Sequence, residues 1–409
     1  MKYDLDRLMR DRALDAIVIS GKIYGNPALY YMINGAGLTR AKVIKKRGET
    51  PVLIANAMER DEAKAAGLPV ELETKYDYSG LLKEHEGDAL AAGVAYFLRI
   101  LADHDVQGSV GFYGMADQGS AYTFLRALQE AASDIEVVGE FDGDIIAEAR
   151  ATKEAPEVAR IRDVGRRTVK IVQDTVAFLK HHRVGDDETL RKADGSTLTV
   201  GDVHAYIGRQ IALQGLEEPV GFIFATGRDA GIPHSKGTLS SPLRLGESVV
   251  FDIYPCEHGG GYFFDMTRTF CLGYAPPAVE SLYQDVRDCI EHICAAIQVG
   301  EEARRYQQMT CEFFKQRGHP TVAENPGTLE GYVHGVSHGV GLDLHERPMF
   351  RDVSSNTTTL QPGHVFTVEP GLYYPERGMG CRLEDVVWID EEGTPHNLTD
   401  YPYDLVIPL

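Results

Sequence analysis

The sequence predicts two domains of mixed structure: an α/β domain over residues 1–148, and an α+β domain over 149–409 with long helices against a curved antiparallel sheet. Three observations lead there. The first 148 residues alternate short β-branched runs with helical stretches. Two long amphipathic segments follow. Around them lie β-rich stretches at 248–272, 332–346, 364–374 and 380–390.

In the first domain, "DAIVIS", "TPVLIA", "GSVGFYG" and "IEVVGE" read as strands, and "NAMERDEAKAAG" and "QGSAYTFLRALQEAAS" as helices. No catalytic constellation is evident there. This domain is expected to shape a neighbouring site or to make an oligomer interface, in a homodimer. The boundary falls near "EARATKEAPEVARIRDVG". Thr152 followed by Pro156 fits a helix start, and apolar residues recur at 158, 161, 164, 169, 172, 176 and 179. Residues 278–298 repeat the pattern, with Leu282, Val286, Ile290, Ile293 and Ile297 on one face.

Composition narrows the partners. The formal net charge is −20, which disfavours nucleic acid and anionic membrane surfaces. The first residues carry no signal-peptide core, and no apolar run is long enough to span a membrane. Six cysteines, all between 256 and 381, include no C-x-x-C pair and sit mostly in apolar surroundings. They are expected to be reduced, buried thiols of a cytoplasmic protein.

The chemistry concentrates in two hairpins. Asp252 ends the run Val249–Phe251, and Asp265 follows thirteen residues later, across glycines 259–261 that suit a tight turn. Directly opposed pairing sets the turn between His258 and Gly259 and the two carboxylates roughly 5 Å apart at Cβ. Glu369 likewise ends an apolar run, and Glu384 follows fifteen residues later, which sets that turn between Glu376 and Arg377. One such acidic pair is ordinarily a solvated edge. Two pairs on buried strands repel, and need positive charge beside them. Four carboxylates and one imidazole suffice for two divalent cations. Ligation without thiolate favours manganese, with cobalt, iron or zinc as alternatives. The imidazole is expected from "VHGVSHGVGLDLHERP", where His334, His338 and His345 lie on a Gly-broken stretch that reads as a short strand or loop.

This set resembles the pita-bread metallopeptidases, the family of methionine aminopeptidase, aminopeptidase P and prolidase. The likeness covers residues 150–409, and the first domain is similar to the one that precedes the catalytic domain in aminopeptidase P, prolidase and creatinase. The resemblance implies a pita-bread fold and, as metal ligands, Asp252, Asp265 ("DMTRT"), His338 ("SHGVGLDLHE"), Glu369 ("VEPGLY") and Glu384 ("RLEDVV"). It implies that Glu369 also moves the proton, that His234 ("GIPHSKG") contacts substrate, that His345 bonds the scissile carbonyl region, and that Arg382 orders the ligands. His334 is then pocket lining. The extra domain favours the aminopeptidase P/prolidase branch and an Xaa-Pro bond in dipeptides or short peptides. Arg347 and Arg351 are candidates for a substrate carboxylate. One departure stands out: the family spaces its two aspartates eleven apart, with Gly two residues after the first, whereas this chain has thirteen and Tyr254. Tyr254 therefore becomes a candidate substrate contact. Metal-free creatinase chemistry, a non-catalytic peptide-binding relative, and organophosphate or other amide hydrolysis are the competing readings. Metal loss on acidification is expected near the ~6.5 of histidine.

Overall fold

A computed structural model describes residues 4–409. The chain forms two compact units, one ending at Arg150 and one spanning Ala151–Leu409.

The first unit is a six-stranded sheet of β1 (Ala16–Lys22), β2 (Arg40–Lys46), β3 (Val52–Ala55), β4 (Val70–Leu72), β5 (Gly108–Met115) and β6 (Ile135–Val138), ordered β4-β3-β2-β1-β5-β6. β1–β5 and β5–β6 are parallel, whereas β2 runs antiparallel to both its neighbours. Helices α1 (Ala89–Asp103) and α2 (Gln118–Ala131) complete it. Three expectations need correction. "NAMERDEAKAAG" forms two 3-10 turns, Ala57–Glu59 and Glu62–Ala66, because the Asn56 side chain accepts from Met58 N–H and closes a tight turn. β2 was hidden by the lysines of "RAKVIKK"; one of them, Lys45, is buried on Asp6. α1 was missed in a stretch with only two charged residues, and Asp88 caps its start through Leu90 and Ala91 N–H.

In the second unit α3 (Ala155–Lys180) starts two residues later than Thr152 implies. Glu154 and Glu157 close a capping box there, with Pro156 in the first turn. Its buried face includes Val158, Ile161, Val164 and Val172. Gly165 lies on that face because a Cβ would fall 2.4 Å from the Phe264 ring. α4 (Val200–Leu213), α5 (Pro277–Ala296) and α6 (Arg304–Gln316) follow the same logic, with Leu282, Val286, Ile290 and Ile293 buried on α5.

The sheets carry the site. β7 (Ile223–Thr226), β8 (Ser248–Ile253) and β9 (Met266–Leu272) are antiparallel neighbours. β10 (His338–Gly339), β11 (Glu346–Met349), β12 (Val365–Val368) and β15 (Asp385–Ile389) form a second sheet with Pro395–Asn397. β13 (Gly371–Tyr374) and β14 (Met379–Arg382) lie between β12 and β15 in sequence. The stretch 332–346 thus holds only a two-residue strand; its glycines leave the rest as loop.

The second hairpin has the expected register. Val368 faces Asp385 and Gly371 faces Arg382, one continuous pairing centred on the 3-10 turn Pro375–Arg377. The first hairpin differs. Asp252 faces Thr267, not Asp265, so the pairing is displaced by two residues. The register holds to the tip, where Cys256 faces Phe263 and the Glu257 N–H donates to the Tyr262 carbonyl, so the turn centres between Gly259 and Gly260; Cys256–Glu257 also pair with Leu216–Glu217. Because the displacement is even, Asp252 and Asp265 keep to one face.

The short turn Asp229–Gly231 packs against β14 with no room between: a Cβ on Gly380 would fall 1.9 Å from the Ala230 carbonyl oxygen. We predict that Gly380→Ala lowers stability by about 1–3 kcal/mol, the cost of overpacking. Gly208, mid-α4, has open space around its Cβ position, so Gly208→Ala should raise stability by about 0.5–1 kcal/mol. Denaturant unfolding of both variants checks the opposite signs.

Candidate metal centre

Each acid of the predicted set stands at a strand end. Asp252 is near the end of β8, Asp265 directly precedes β9, Glu369 follows β12 and Glu384 precedes β15. An isolated bridge between Thr267 and Glu384 joins the two sheets there. The Glu384 N–H donates to the Thr267 carbonyl at 3.1 Å, and the Thr267 hydroxyl donates to Glu384 Oε2 at 2.7 Å. Thr269 fastens β9 to β14: its hydroxyl donates to the Arg382 carbonyl at 2.8 Å and accepts from the Arg382 N–H at 2.9 Å.

His338 reaches into this group. Its Nε2 lies 3.5 Å from Glu369 Oε1, 3.7 Å from Asp265 Oδ2 and 3.9 Å from Glu384 Oε1. Its Nδ1 lies 3.1 Å from the Gly339 carbonyl, which fixes the proton on Nδ1 and leaves the Nε2 lone pair facing the carboxylates. Burial, then the neighbouring His345, holds His338 down to about 3, so it stays neutral. In the metal-free protein, protonation on acidification therefore falls first on the carboxylates.

The carboxylates crowd one another. Burial, then Glu384, Asp252 and Glu369, pushes Asp265 well above the usual carboxylate range. Burial, then Glu384, does the same to Glu369. Burial, then Asp252, pushes Glu384 up to about 8. One oxygen each of Asp252, Asp265 and Glu384 is buried without a hydrogen-bond partner. Buried acceptors left bare are costly. Oxygen atoms bare on one side and a neutral imidazole lone pair facing them form a donor set that fits divalent cations. A second acid–histidine group, Glu71, Asp103 and His104, differs: the Lys75 ammonium lies 2.5 Å from Asp103 and 3.0 Å from Glu71, so it carries its own cation.

Arg382 is the cation ion-paired to the candidate centre. It is buried, lies 2.5 Å from Asp252 Oδ2, and donates to the Tyr373 hydroxyl at 2.7 Å and to the Pro233 carbonyl at 3.2 Å. Tyr373 in turn donates to His334 Nε2 at 2.8 Å, while His334 Nδ1 donates to the Gly335 carbonyl. His334 thus belongs to the wall, 4.0 Å from Glu369. Tyr373 and Thr267 were missed from sequence. The available signal was alternation: Thr267 lies two residues beyond Asp265, on the same strand face.

The other candidates divide. The His345 ring stands edge-on to His338 with centroids 4.3 Å apart, and burial, then His234, keeps it below its ordinary value. His234 is exposed and acts on both His334 and His345, next to the carbonyl that Arg382 holds. Tyr254 is half-buried, and burial, then Asp252 and Asp265, raises its phenol. Arg347 and Arg351 are not brought to the acids by any hydrogen bond or ion pair among the described residues, and Arg351 is exposed.

Residues 159–391 match the family model for metallopeptidase family M24. A Mycobacterium tuberculosis protein named "Probable dipeptidase PepE" is 30% identical over 264 residues, covering 64% of this chain and 62% of that protein. The chain therefore spans under two thirds of that relative's length in alignment. A Pyrococcus horikoshii protein named Xaa-Pro dipeptidase is 25% identical over 391 residues, covering 94% of this chain and 93% of that one. The solved structure of a Xaa-Pro dipeptidase from Bacillus anthracis superposes with a TM-score of 0.75 at 20% identity, over 99% of this chain and 98% of that chain. At that identity the likeness is one of fold, and the fold is the pita-bread one with an α/β unit before it. The chain belongs to metallopeptidase family M24.

Proposed function

We propose that the protein is a metal-dependent Xaa-Pro peptidase, hydrolysing the bond ahead of proline in dipeptides or short peptides. The observation that carries this reading is the convergence of Asp265, Glu369 and Glu384 on the neutral His338, with Asp252 joined to them through Arg382 and Thr267. Relatives named Xaa-Pro dipeptidase, one of them aligned along nearly the whole chain, support the substrate class.

Asp252, Asp265, His338, Glu369 and Glu384 would hold two divalent cations. Manganese is our expectation for this oxygen-rich set, with cobalt, iron or zinc as substitutes. When bound, such cations polarise a scissile carbonyl and make water a nucleophile near neutral pH.

The chain's own residues do the rest. Glu369 is the most open of the four acids, its side chain 18% exposed against 10% for Asp252, 5% for Asp265 and 2% for Glu384. It can therefore reach substrate, take a proton from the attacking water and return it to the departing proline nitrogen. That return is needed because an amine anion is a poor leaving group, so the nitrogen must gain a proton as the C–N bond breaks. His345, neutral, still offers one N–H to the carbonyl oxygen as charge develops there. His234, near enough to act on both His334 and His345, is assigned to substrate contact, as is Tyr254. Arg382 fixes the orientation of Asp252. His334 and Tyr373 line the wall. Arg347 and Arg351 are our candidates for a substrate carboxylate, Arg351 because its side chain is exposed and, among the described residues, only its carbonyl is hydrogen-bonded, to Val353 and Asn356.

No helix among the described residues is long and apolar enough to cross a membrane. Six unpaired thiols, five of them buried, fit a reducing cytoplasmic setting. We expect a homodimer acting on small peptides.

Metal analysis of reloaded protein should return two cations per chain, and a chelator should abolish Xaa-Pro hydrolysis. Bound metal near zero with hydrolysis intact would falsify the reading. Asp265→Ala and Glu369→Ala should abolish turnover with circular dichroism unchanged. His345→Ala should lower kcat by about 10²–10³-fold, the scale for one positioned donor. A near-normal kcat in steady-state assays would remove His345 from the chemistry.

The pH dependence of stability separates the loaded from the chelated protein. Glu384, at about 8 when folded against 4.5 for its ordinary value, keeps a proton in the folded state that the unfolded chain has released. Without metal, stability should therefore fall as pH rises from 4.5 through 8. His334, His338 and His364, held to about 3, act oppositely: stability falls as pH drops below their ordinary 6.5. The two effects oppose each other between 4.5 and 6.5, leaving the carboxylates alone above 6.5. Chelated protein should lose Tm between pH 6.5 and 8.5. Loaded protein, whose carboxylates are ionised throughout, should not. Parallel slopes in the two thermal series would contradict the assignment.

A further inference from the structure

His338 and His345 sit on a stretch with little regular structure to hold it. β10 has two residues, and its pairing with β11 shifts between them: His338 faces Met349 while Gly339 faces Glu346. Residues 340–345 form neither helix nor strand. A ladder this short specifies register weakly.

Beneath it lies a buried ion pair. Lys153 Nζ is 2.5 Å from Glu346 Oε1, with the two side chains 1% and 3% exposed. Glu346 Oε2 accepts from the Asp343 N–H at 3.2 Å. Gly341 lies flat against the pair, where a Cβ would fall 2.3 Å from Glu346 Oε1 and 2.9 Å from Lys153 Cε. The Lys153 N–H donates to the Gly363 carbonyl at 2.8 Å, which anchors the lysine beside the start of β12. A buried ion pair is a poor source of stability, because desolvation offsets the attraction. Its best-attested use is to select one arrangement among competitors.

We propose that Lys153 and Glu346 are positioning residues that hold the 341–346 turn so that His345 stands edge-on to His338. Glu346 is bonded in sequence to His345 and faces Gly339, the residue after His338, across the ladder. One peptide link and one rung therefore carry its position to both histidines. The effect on turnover rests on the Xaa-Pro peptidase reading; the effect on ring geometry does not.

The test uses the full chain carrying Lys153→Met with Glu346→Gln, which removes both charges without stranding one. With metal reloaded, this variant should keep two cations and a KM within about threefold, while kcat falls about 10–100-fold, the scale of misplacing a catalytic group. Combined with His345→Ala, it should be no slower than His345→Ala alone, since the pair acts through that ring. An unchanged kcat, or losses that multiply in the combined variant, would overturn the proposal. If the paired variant does not fold, Gly341→Ala displaces Glu346 with both charges retained, and the same kcat loss at constant KM is expected. If the unaltered protein hydrolyses no Xaa-Pro peptide, the functional reading alone fails. A crystal structure of either variant then decides the positioning: the 4.3 Å centroid separation of His338 and His345 should change by about 1 Å or more, and an unmoved His345 ring overturns it.

Discussion

The repulsion among four buried carboxylates is the constraint on which the rest of the second unit depends. Each acid stands where a strand ends, so its backbone is fixed by a ladder on one side while its side chain projects past it. Among the described residues only Asp252 of the four is ion-paired with a Lys or Arg, Arg382, and that guanidinium is shared with the Tyr373 hydroxyl and the Pro233 carbonyl. Thr267 bonds one oxygen of Glu384 and leaves the other bare. Satisfying one oxygen of Asp252 and of Glu384 fixes their orientation and keeps the other oxygen available. The cost is paid in proton affinity: Glu384 is lifted to about 8 and Asp265 well above its ordinary range. An arrangement this unfavourable for protein alone makes physical sense around added positive charge.

Much of this was legible because strand geometry has period two. Glu369 and Glu384 could be set opposite each other from sequence, since an unbroken register needs only the turn, and Pro375 and Gly378 marked it. Asp252 and Asp265 were placed on the right face in the wrong register. Glycines at 259 and 260 adopt positive φ and the turn centres between them, one residue beyond the expected centre. With three glycines in a row, nothing local says which two take the corner. Parity protected the chemical inference where register failed, because a shift of two residues returns every side chain to its face.

Contacts between residues remote in sequence were not legible. Lys153 and Glu346 are 193 residues apart, and each alone reads as a surface charge beside a helix or a loop. Tyr373, in "GLYYPE", could have been either inward ring of its pair. Its hydroxyl finds space because Gly371 lacks a side chain, a Cβ there falling 2.5 Å from that oxygen. The overcalled helix at 56–67 has a cause of another kind: periodicity is a weak signal in segments only a turn or two long.

The two acid–histidine groups of this chain show what composition alone cannot decide. Both bring carboxylates within a few ångströms of an imidazole. At Glu71, Asp103 and His104, the Lys75 ammonium and the Tyr76 hydroxyl meet the acids, and the lysine sits on a partly exposed surface where water screens what remains. That group is complete as protein. At Asp265, His338 and Glu384, burial removes the water, the histidine is held neutral, and no lysine among the described residues ion-pairs with these acids. Residue types are nearly the same in the two places; the source of positive charge differs. A cluster that supplies its own cation needs no ligand to explain it, whereas one that excludes water and leaves acceptors bare is chemically unfinished without one. That difference, more than the count of acids, distinguishes the candidate centre from an ordinary charged patch.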